Sequence, residues 1–480
     1  MKQLEFPQSR CRAAVARGDI TPPVGIYHRM WGAAVHDRAT GVHRPLTATL
    51  LWLVPIEGEA SSGRLIVSLD HCILDGVEIA AIQEGVSHET GVDPSHVLVT
   101  LTHTHGSAWM SRTRADKPGG DLIGPYLDGM IADVVCWAVE AYGRLEVATI
   151  VYGQSRCSLA RQRDYLDEET GQIVCGFNPG ATSDGTVLVA RVETESHRLL
   201  ATIVNYACHP TTLAWENTLI SPDWPGAMRE VVEAVEDGPC LFLQGASGDL
   251  GPRHGFTGDV EVADRNGRQV GYAALEGLTD IPPSGQVFRY AGAVLSGATL
   301  GVWKYEPSSA ECLKRNARFY WTTEVFPLAV RTDLPTKAET IAALAHWEAE
   351  EERARERGDH AGFAKCRAEA EQRRRQLARL EALPAGTTIP LPVEIAVLGG
   401  AVWIFTPGEL YQQFQTQLRE RLAPYPVVVT TLTNGWQPGY IPPQDAYGRG
   451  IYQERIAATA PGCLERLIEE VGSRAVVLIG

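Results

Sequence analysis

Short, uninterrupted apolar runs separated by amphipathic segments constrain the fold of this chain more than any other feature. Thr49 to Pro55, Leu65 to Leu69, Val97 to Leu101, Leu199 to Val204 and Cys240 to Leu243 have strand length without polar alternation. Val393 to Leu398, Ala401 to Phe405 and Val427 to Leu432 read the same way. A strand of that kind is covered on both faces. Helical periodicity fills Val77 to Gly85, Tyr126 to Tyr142, Pro225 to Val235 and Leu410 to Leu422. The alternation predicts an α/β fold, and strands that follow one another directly make its large β-sheet a mixed one, flanked by helices.

One stretch departs from this pattern. Thr336 to Leu383 is rich in Ala, Glu, Arg and Leu, lacks proline, and is interrupted by Gly358-Asp359-His360. That composition predicts an antiparallel helical hairpin inserted over 336–383. A surface hairpin is the simplest reading; a dimerisation arm forming a homo-oligomer, or a lid over a site, is the functional one. Nothing else marks a boundary, so residues 1–480 are expected to form one domain.

Acidic residues outnumber basic ones, 58 to 43, giving a net charge of −15. Such a balance argues against nucleic-acid or anionic-membrane partners and leaves a small-molecule substrate. Arg373-Arg374-Arg375 is interleaved with Glu and reads as a solvated face. No run of 18 consecutive apolar residues is present, so no transmembrane helix is expected. Met1 to Arg12 has no apolar leader core, and the ten cysteines are scattered without a CxxC pair. Reduced thiols packed as small hydrophobes, in a cytoplasmic protein, are the expectation.

Chemistry concentrates where apolar runs end. Thr102-His103-Thr104-His105-Gly106 follows the run closing at Leu101, Cys208-His209-Pro210 follows Leu199 to Val204, and Pro407-Gly408-Glu409 follows Ala401 to Phe405. Two imidazoles and a carboxylate at three strand ends are what a zinc site assembled across a sheet edge requires. Histidines that merely complete the structure are the alternative. Gln244 to Pro252 is a glycine-rich turn whose N–H groups could hold an oxyanion, or simply a tight connection. Gly245-Ala246-Ser247-Gly248-Asp249 is not GxSxG, and neither a P-loop nor GxGxxG is present.

Taken in order, these segments resemble the catalytic domain of the neutral ceramidases, zinc-dependent amide hydrolases. The resemblance runs from about Ala14 to Glu454. It covers Asp19-Ile20-Thr21-Pro22, Met30-Trp31-Gly32, Thr102-His103-Thr104-His105, Gly248-Asp249 with Pro252, Pro407-Gly408-Glu409, Asn434 to Tyr440, and Tyr452. It implies Zn²⁺ held by His103, His209, Glu409 and Tyr440, with His105, Arg161 and Tyr452 beside the substrate. Two departures stand out. Gly251 replaces a serine that takes part in amide cleavage, and Arg253 replaces an asparagine. The chain also leaves no room for the family's immunoglobulin-like C-terminal domain.

The chemistry implied is hydrolysis of an amide smaller and more polar than ceramide, by water that the metal activates. His105 would shuttle the proton, and Arg161 and Tyr452 would stabilise the tetrahedral anion. Ester hydrolysis, a zinc lyase or isomerase step, and a catalytically degenerate binding protein are the alternatives on this scaffold. Asp70 and Asp249 are candidates to orient the histidines, and Asp223 to cap the helix beginning at Trp224.

Overall fold

The structure, a computed structural model, describes residues 3–480. Its main sheet contains β1 (Gln8–Asp19), β2 (Thr47–Val54), β3 (Arg64–Leu69), β4 (Val97–Leu101), β5 (Glu146–Arg156), β6 (Thr186–Thr194), β7 (Leu199–Tyr206) and β8 (Cys240–Gln244). The spatial order is β8-β7-β6-β5-β1-β2-β3-β4. The outermost pairs, β7 with β8 and β3 with β4, are parallel, and the pairs between them antiparallel. The sheet is therefore mixed, as the sequence predicts.

A second sheet runs β9 (Phe319–Ala329), β10 (Thr388–Leu398), β11 (Ala401–Phe405) and β12 (Val427–Thr430), with only β11 and β12 parallel. It packs against one face of the first. Leu51, Leu53, Ile150 and Ile203 meet Leu398, Trp403 and Phe405 in a single core. Neighbouring residues of opposite parity, such as Leu50, Trp52 and Val204, face the other way, toward helices. This explains the unbroken apolar runs, because each strand is covered from both sides. A fully buried aliphatic side chain between the sheets, such as Leu51 or Ile203, stabilises the fold by about 1.5–3 kcal/mol.

Helices α1 (Gly76–Thr90), α2 (Ile123–Tyr142), α3 (Trp224–Glu233) and α4 (Val260–Thr279) lie on the outer face of the main sheet. Asp223 caps α3 by accepting the Trp224 N–H at 2.6 Å, as expected. Gly267 brings α4 close to α3, since a Cβ there would lie 2.3 Å from the Trp224 carbonyl oxygen. Helices α5 (Lys337–Glu356) and α6 (His360–Ala382) form the hairpin, turned at Gly358 with φ 67° and opened by a Thr336/Glu339 capping box. Helices α7 (Gln412–Arg421) and α8 (Cys463–Ile479) cover the outer face of the second sheet. The layers are thus helix, sheet, sheet, helix.

One expectation needs correction. Residues Gly120–Tyr142 are long and apolar enough to cross a membrane, with a mean hydropathy of 1.4 in the most apolar window. Scattered polar residues conceal this from a count of consecutive apolar positions. In the fold, Leu127, Val134 and Ala138 turn into the core against the main sheet, and Asp128 and Glu140 stay outside it. The ten cysteines are unbridged among the described residues.

Candidate metal centre

The strands end where the chemistry begins. β4 leads into His103, whose backbone takes the left-handed conformation (φ 66°), uncommon for a residue with a Cβ. Its N–H donates to the His71 carbonyl and its Nδ1–H to the Cys72 carbonyl, both at 2.9 Å. His209 follows β7, and its Nδ1–H donates to the Ser247 carbonyl at 2.7 Å. With both Nδ1 atoms committed, each imidazole turns its Nε2 inward. Both reach Glu409 Oε2, His103 at 3.2 Å and His209 at 3.0 Å.

Glu409 and Tyr440 are neighbours in a short parallel pairing, Glu409–Leu410 with Tyr440–Ile441. Gly408 and Gly439, both left-handed, shape the turns that admit it; a Cβ at Gly408 would lie 3.0 Å from the Gly439 carbonyl. Tyr440 Oη lies 3.4 Å from His209 Nε2 and accepts from Arg163 Nη2 at 3.0 Å. The four expected ligands therefore come together from distant parts of the chain.

The donor set suits a divalent cation. The ligand atoms of His103, His209 and Glu409 all lie within 4.8 Å of one another. Metal–ligand bonds of about 2.0–2.1 Å place tetrahedral neighbours roughly 3.4 Å apart, close to the 3.0 and 3.2 Å between Nε2 and Oε2. Backbone carbonyls on both Nδ1–H groups fix the tautomer that such ligation needs. Cys72, His103 and His105 form a second potential group. In it His103 Nδ1 lies 3.6 Å from Cys72 Sγ but already donates to the Cys72 carbonyl. The His103–His209–Glu409 set is the better one.

Electrostatics agree with these roles. Burial alone would raise Glu409, but His103 and His209 outweigh it and hold the carboxyl well below its usual range. Burial and the Arg163 charge push His209 down to about 4, leaving its Nε2 unprotonated. His103 moves upward because Cys72 and Glu409 overcome burial, so without an ion its Nε2 holds a proton facing Glu409, which a metal would have to displace. His105 is driven well down by burial, then by His103 and His209, so it is a neutral base. Burial holds the Tyr440 hydroxyl above the usual phenol range, with Arg163 opposing it.

A cavity of about 700 Å³ opens beside these groups. His105, Arg163, Thr211, Tyr440 and Tyr452 line its floor and mouth, and α6 supplies one wall. His105 Nε2 has no hydrogen-bond partner among the described residues. The Trp31 ring lies 5.0 Å from that of His105, and Trp215 and Phe256 extend the apolar wall.

Three sequence expectations are corrected here. Arg161 does not reach this cavity; it pairs with Gly251 across a short bridge and lines a separate hollow with Arg156 and Gln269. Arg163, just after the strand Ala160–Gln162, occupies the place expected of it. The N–H groups of Gly245, Ala246, Gly248 and Leu250 are already bonded, to Tyr206 O, Gln415 Oε1, Leu410 O and Ser247 O, so they do not form an oxyanion hole. Asp70 pairs with Arg229 and Asp249 accepts from Gln412, so neither orients a candidate ligand.

Gly251 leaves a gap. A Cβ placed there would lie 3.8 Å from both Arg163 Cδ and Thr211 Oγ1. The Thr211 hydroxyl is buried, lines the cavity, and has no partner among the described residues. Sequence reasoning missed Thr211 and Arg163. The position of Thr211, two residues after His209, was the one signal available.

The fold is that of the neutral ceramidases. Neutral ceramidase from Pseudomonas aeruginosa superposes with a TM-score of 0.64, covering 99% of this chain and 75% of that one at 14% identity. A ceramidase complexed with C2 gives 0.64 with the same coverage at 16% identity. No protein-family model and no curated protein matches the sequence.

Proposed function

From its neutral ceramidase fold and its buried donor set, we propose that this chain is a metal-dependent hydrolase that cleaves the amide bond of a small or polar substrate. The observation carrying this reading is the convergence of two Nε2 atoms and one carboxylate oxygen, with both Nδ1 atoms already engaged. Zinc is the ion such nitrogen and oxygen ligands favour, and when bound it lowers the pKa of water to about 7 and polarises a carbonyl.

The remaining chemistry belongs to the protein. His105 Nε2, neutral and unpartnered, takes a proton from the attacking water and returns it to the departing amine nitrogen. The Arg163 guanidinium and the Tyr452 hydroxyl hold the negative charge that develops on the carbonyl oxygen. Thr211 Oγ1 supplies a hydroxyl beside Gly251, where no side chain does so. Packing of Trp31 against His105 shields that imidazole from bulk water.

An acyl-amide panel in ¹⁸O-water tests the reading. Hydrolysis places one solvent oxygen in the acid product and stops on chelation or in His103→Ala. Activity that survives both, or products without solvent oxygen, would contradict it.

A further inference from the structure

The chain carries a net charge of −15, yet its cavity is cationic. Every acid on the cavity wall is already engaged. Asp333 pairs with Arg331, Glu369 with Arg373, and Glu371 with Arg114, Arg374 and Arg375. Arg163 turns its Nη2 to the Gly248 carbonyl and Tyr440 Oη and is already assigned to the carbonyl oxygen of the amide. Two guanidiniums remain. Arg379 on α6 and Arg455, in the turn after Tyr452, line the cavity without a hydrogen bond or carboxylate partner among the described residues.

Arg379 is only half-exposed, and a guanidinium withdrawn from water without a counter-charge is costly. Burial weighs against its charge, as does neighbouring Arg375; Tyr452, Glu409 and Tyr440 favour it. Arg379 lines the same cavity as Tyr440 and Tyr452. Tyr452 adjoins Tyr440 at 5.9 Å between rings, and Tyr440 adjoins His209 at 6.3 Å. On the other side His105 adjoins Trp31 at 5.0 Å. The centre thus lies between an aromatic wall and a cationic one.

We infer that the substrate is an amide bearing an anionic head group, bound by Arg379 with Arg455, while its apolar part lies along Trp31, Trp215 and Phe256. Because it specifies the substrate of the amide-hydrolase reading, this inference rests on that reading for the bond cleaved, but not for the anion. Guanidinium forks match carboxylate and phosphate alike. A neutral membrane lipid would leave both cations unpaired, whereas a carboxylate or phosphate satisfies them.

Two measurements on the metal-loaded protein test it. Calorimetry compares 4-oxoundecanoate, an uncleavable analogue of N-octanoylglycine, with the neutral 1-hydroxyundecan-4-one. The acid should bind at least about tenfold more tightly, the factor expected for a hydrogen-bonded charge. Arg379→Gln should remove most of that gap, and Arg379→Lys should restore part of it. Arg455→Gln, on the exposed rim, should reduce it less, without the folding risk of a change in α6. Initial rates then compare N-octanoylglycine, its aminomethylphosphonate counterpart and N-octanoylethanolamine. A lower KM for the anionic amides is expected, and whichever of the two has the lower KM identifies the head group. Equal binding of acid and alcohol, or a gap unchanged in both Gln variants, would overturn the inference. Acid-selective binding lost in Arg379→Gln, with no amide cleaved, would keep the anion site and overturn amide hydrolysis. Cleavage without preference for charge would do the reverse.

Discussion

Replacing Glu371 by Gln should loosen the helical hairpin from the rest of the protein. The Glu371 side chain is 3% exposed and accepts from Arg114 Nη1 and Nη2 at 2.9 Å each, Arg374 at 3.0 Å and Arg375 at 2.8 Å. Arg114 comes from the body of the protein, and its side chain is 6% exposed. Arg114 and Arg375 each lie 4.9 Å from the Trp109 ring, so this cluster holds α6 in place. Removing the carboxylate charge leaves the Arg114 cation buried and uncompensated, which costs about 3–5 kcal/mol when a partner is deleted. Gln retains one acceptor, so roughly 2–3 kcal/mol is the expected loss, with little from the more exposed Arg374 and Arg375. If α5 and α6 open as a unit, that loss raises their amide hydrogen exchange by about 30- to 150-fold. Exchange mass spectrometry of 337–382 reads this directly, and peptides from β7 and β8 should not change. Exchange in α6 within about threefold of the parent protein would refute the argument. The pH dependence has a definite sign. Burial works to raise Glu371, but Arg375 and Arg114 prevail and depress it. The stabilisation is therefore complete above the ordinary glutamate range and fades as pH falls below it, so the parent should approach the variant's exchange in acid.

Further outcomes follow from the same geometry. Gly251→Ser should fold normally, with a change in stability of less than about 1 kcal/mol, because its Cβ meets nothing closer than 3.8 Å and its φ is not left-handed. Thr211→Val should lower kcat by about tenfold or more, with little effect on Tm, and Gly251→Ser should recover part of that rate; an unchanged kcat would remove Thr211 from the chemistry. Burial depresses His28 and His71 to about 4. Each is neutral in the fold and protonates near pH 6.5 when unfolded, so stability falls as pH drops from about 6.5 to 4, by roughly 3 kcal/mol per group. His28→Gln, which keeps a donor for the Gly106 carbonyl, should reduce that slope by one proton in pH-dependent denaturation.

Much of the architecture was legible because each strand of the sandwich is covered twice, which writes burial into the sequence as unbroken runs. Which runs share a sheet was not legible, since Trp403 and Leu51 are equally apolar whether they face a helix or another sheet. His103, His209 and Glu409 could be picked out because each follows a strand end, and Tyr440 only through the family resemblance and its spacing to Tyr452; the structure brings the four together. Arg161 and Arg163 could not be told apart, because the path of the chain between two short strands, Ala160–Gln162 and Asp164–Asp167, decides which enters the cavity. The hairpin misled differently. Its Arg and Glu residues read as a solvated face, yet Glu371, Arg375 and Arg379, spaced at i, i+4, i+8, form the side turned to the cavity.

Metal analysis tests the central claim most directly. The purified protein, loaded with Zn²⁺ and dialysed, should hold about one ion per chain, with X-ray absorption showing only N and O neighbours at about 2.0–2.1 Å. His209→Ala and Glu409→Gln should each abolish that occupancy, and Cys72→Ala should leave it intact. A sulfur neighbour near 2.3 Å, or an ion retained in both His209→Ala and Glu409→Gln, would contradict the account.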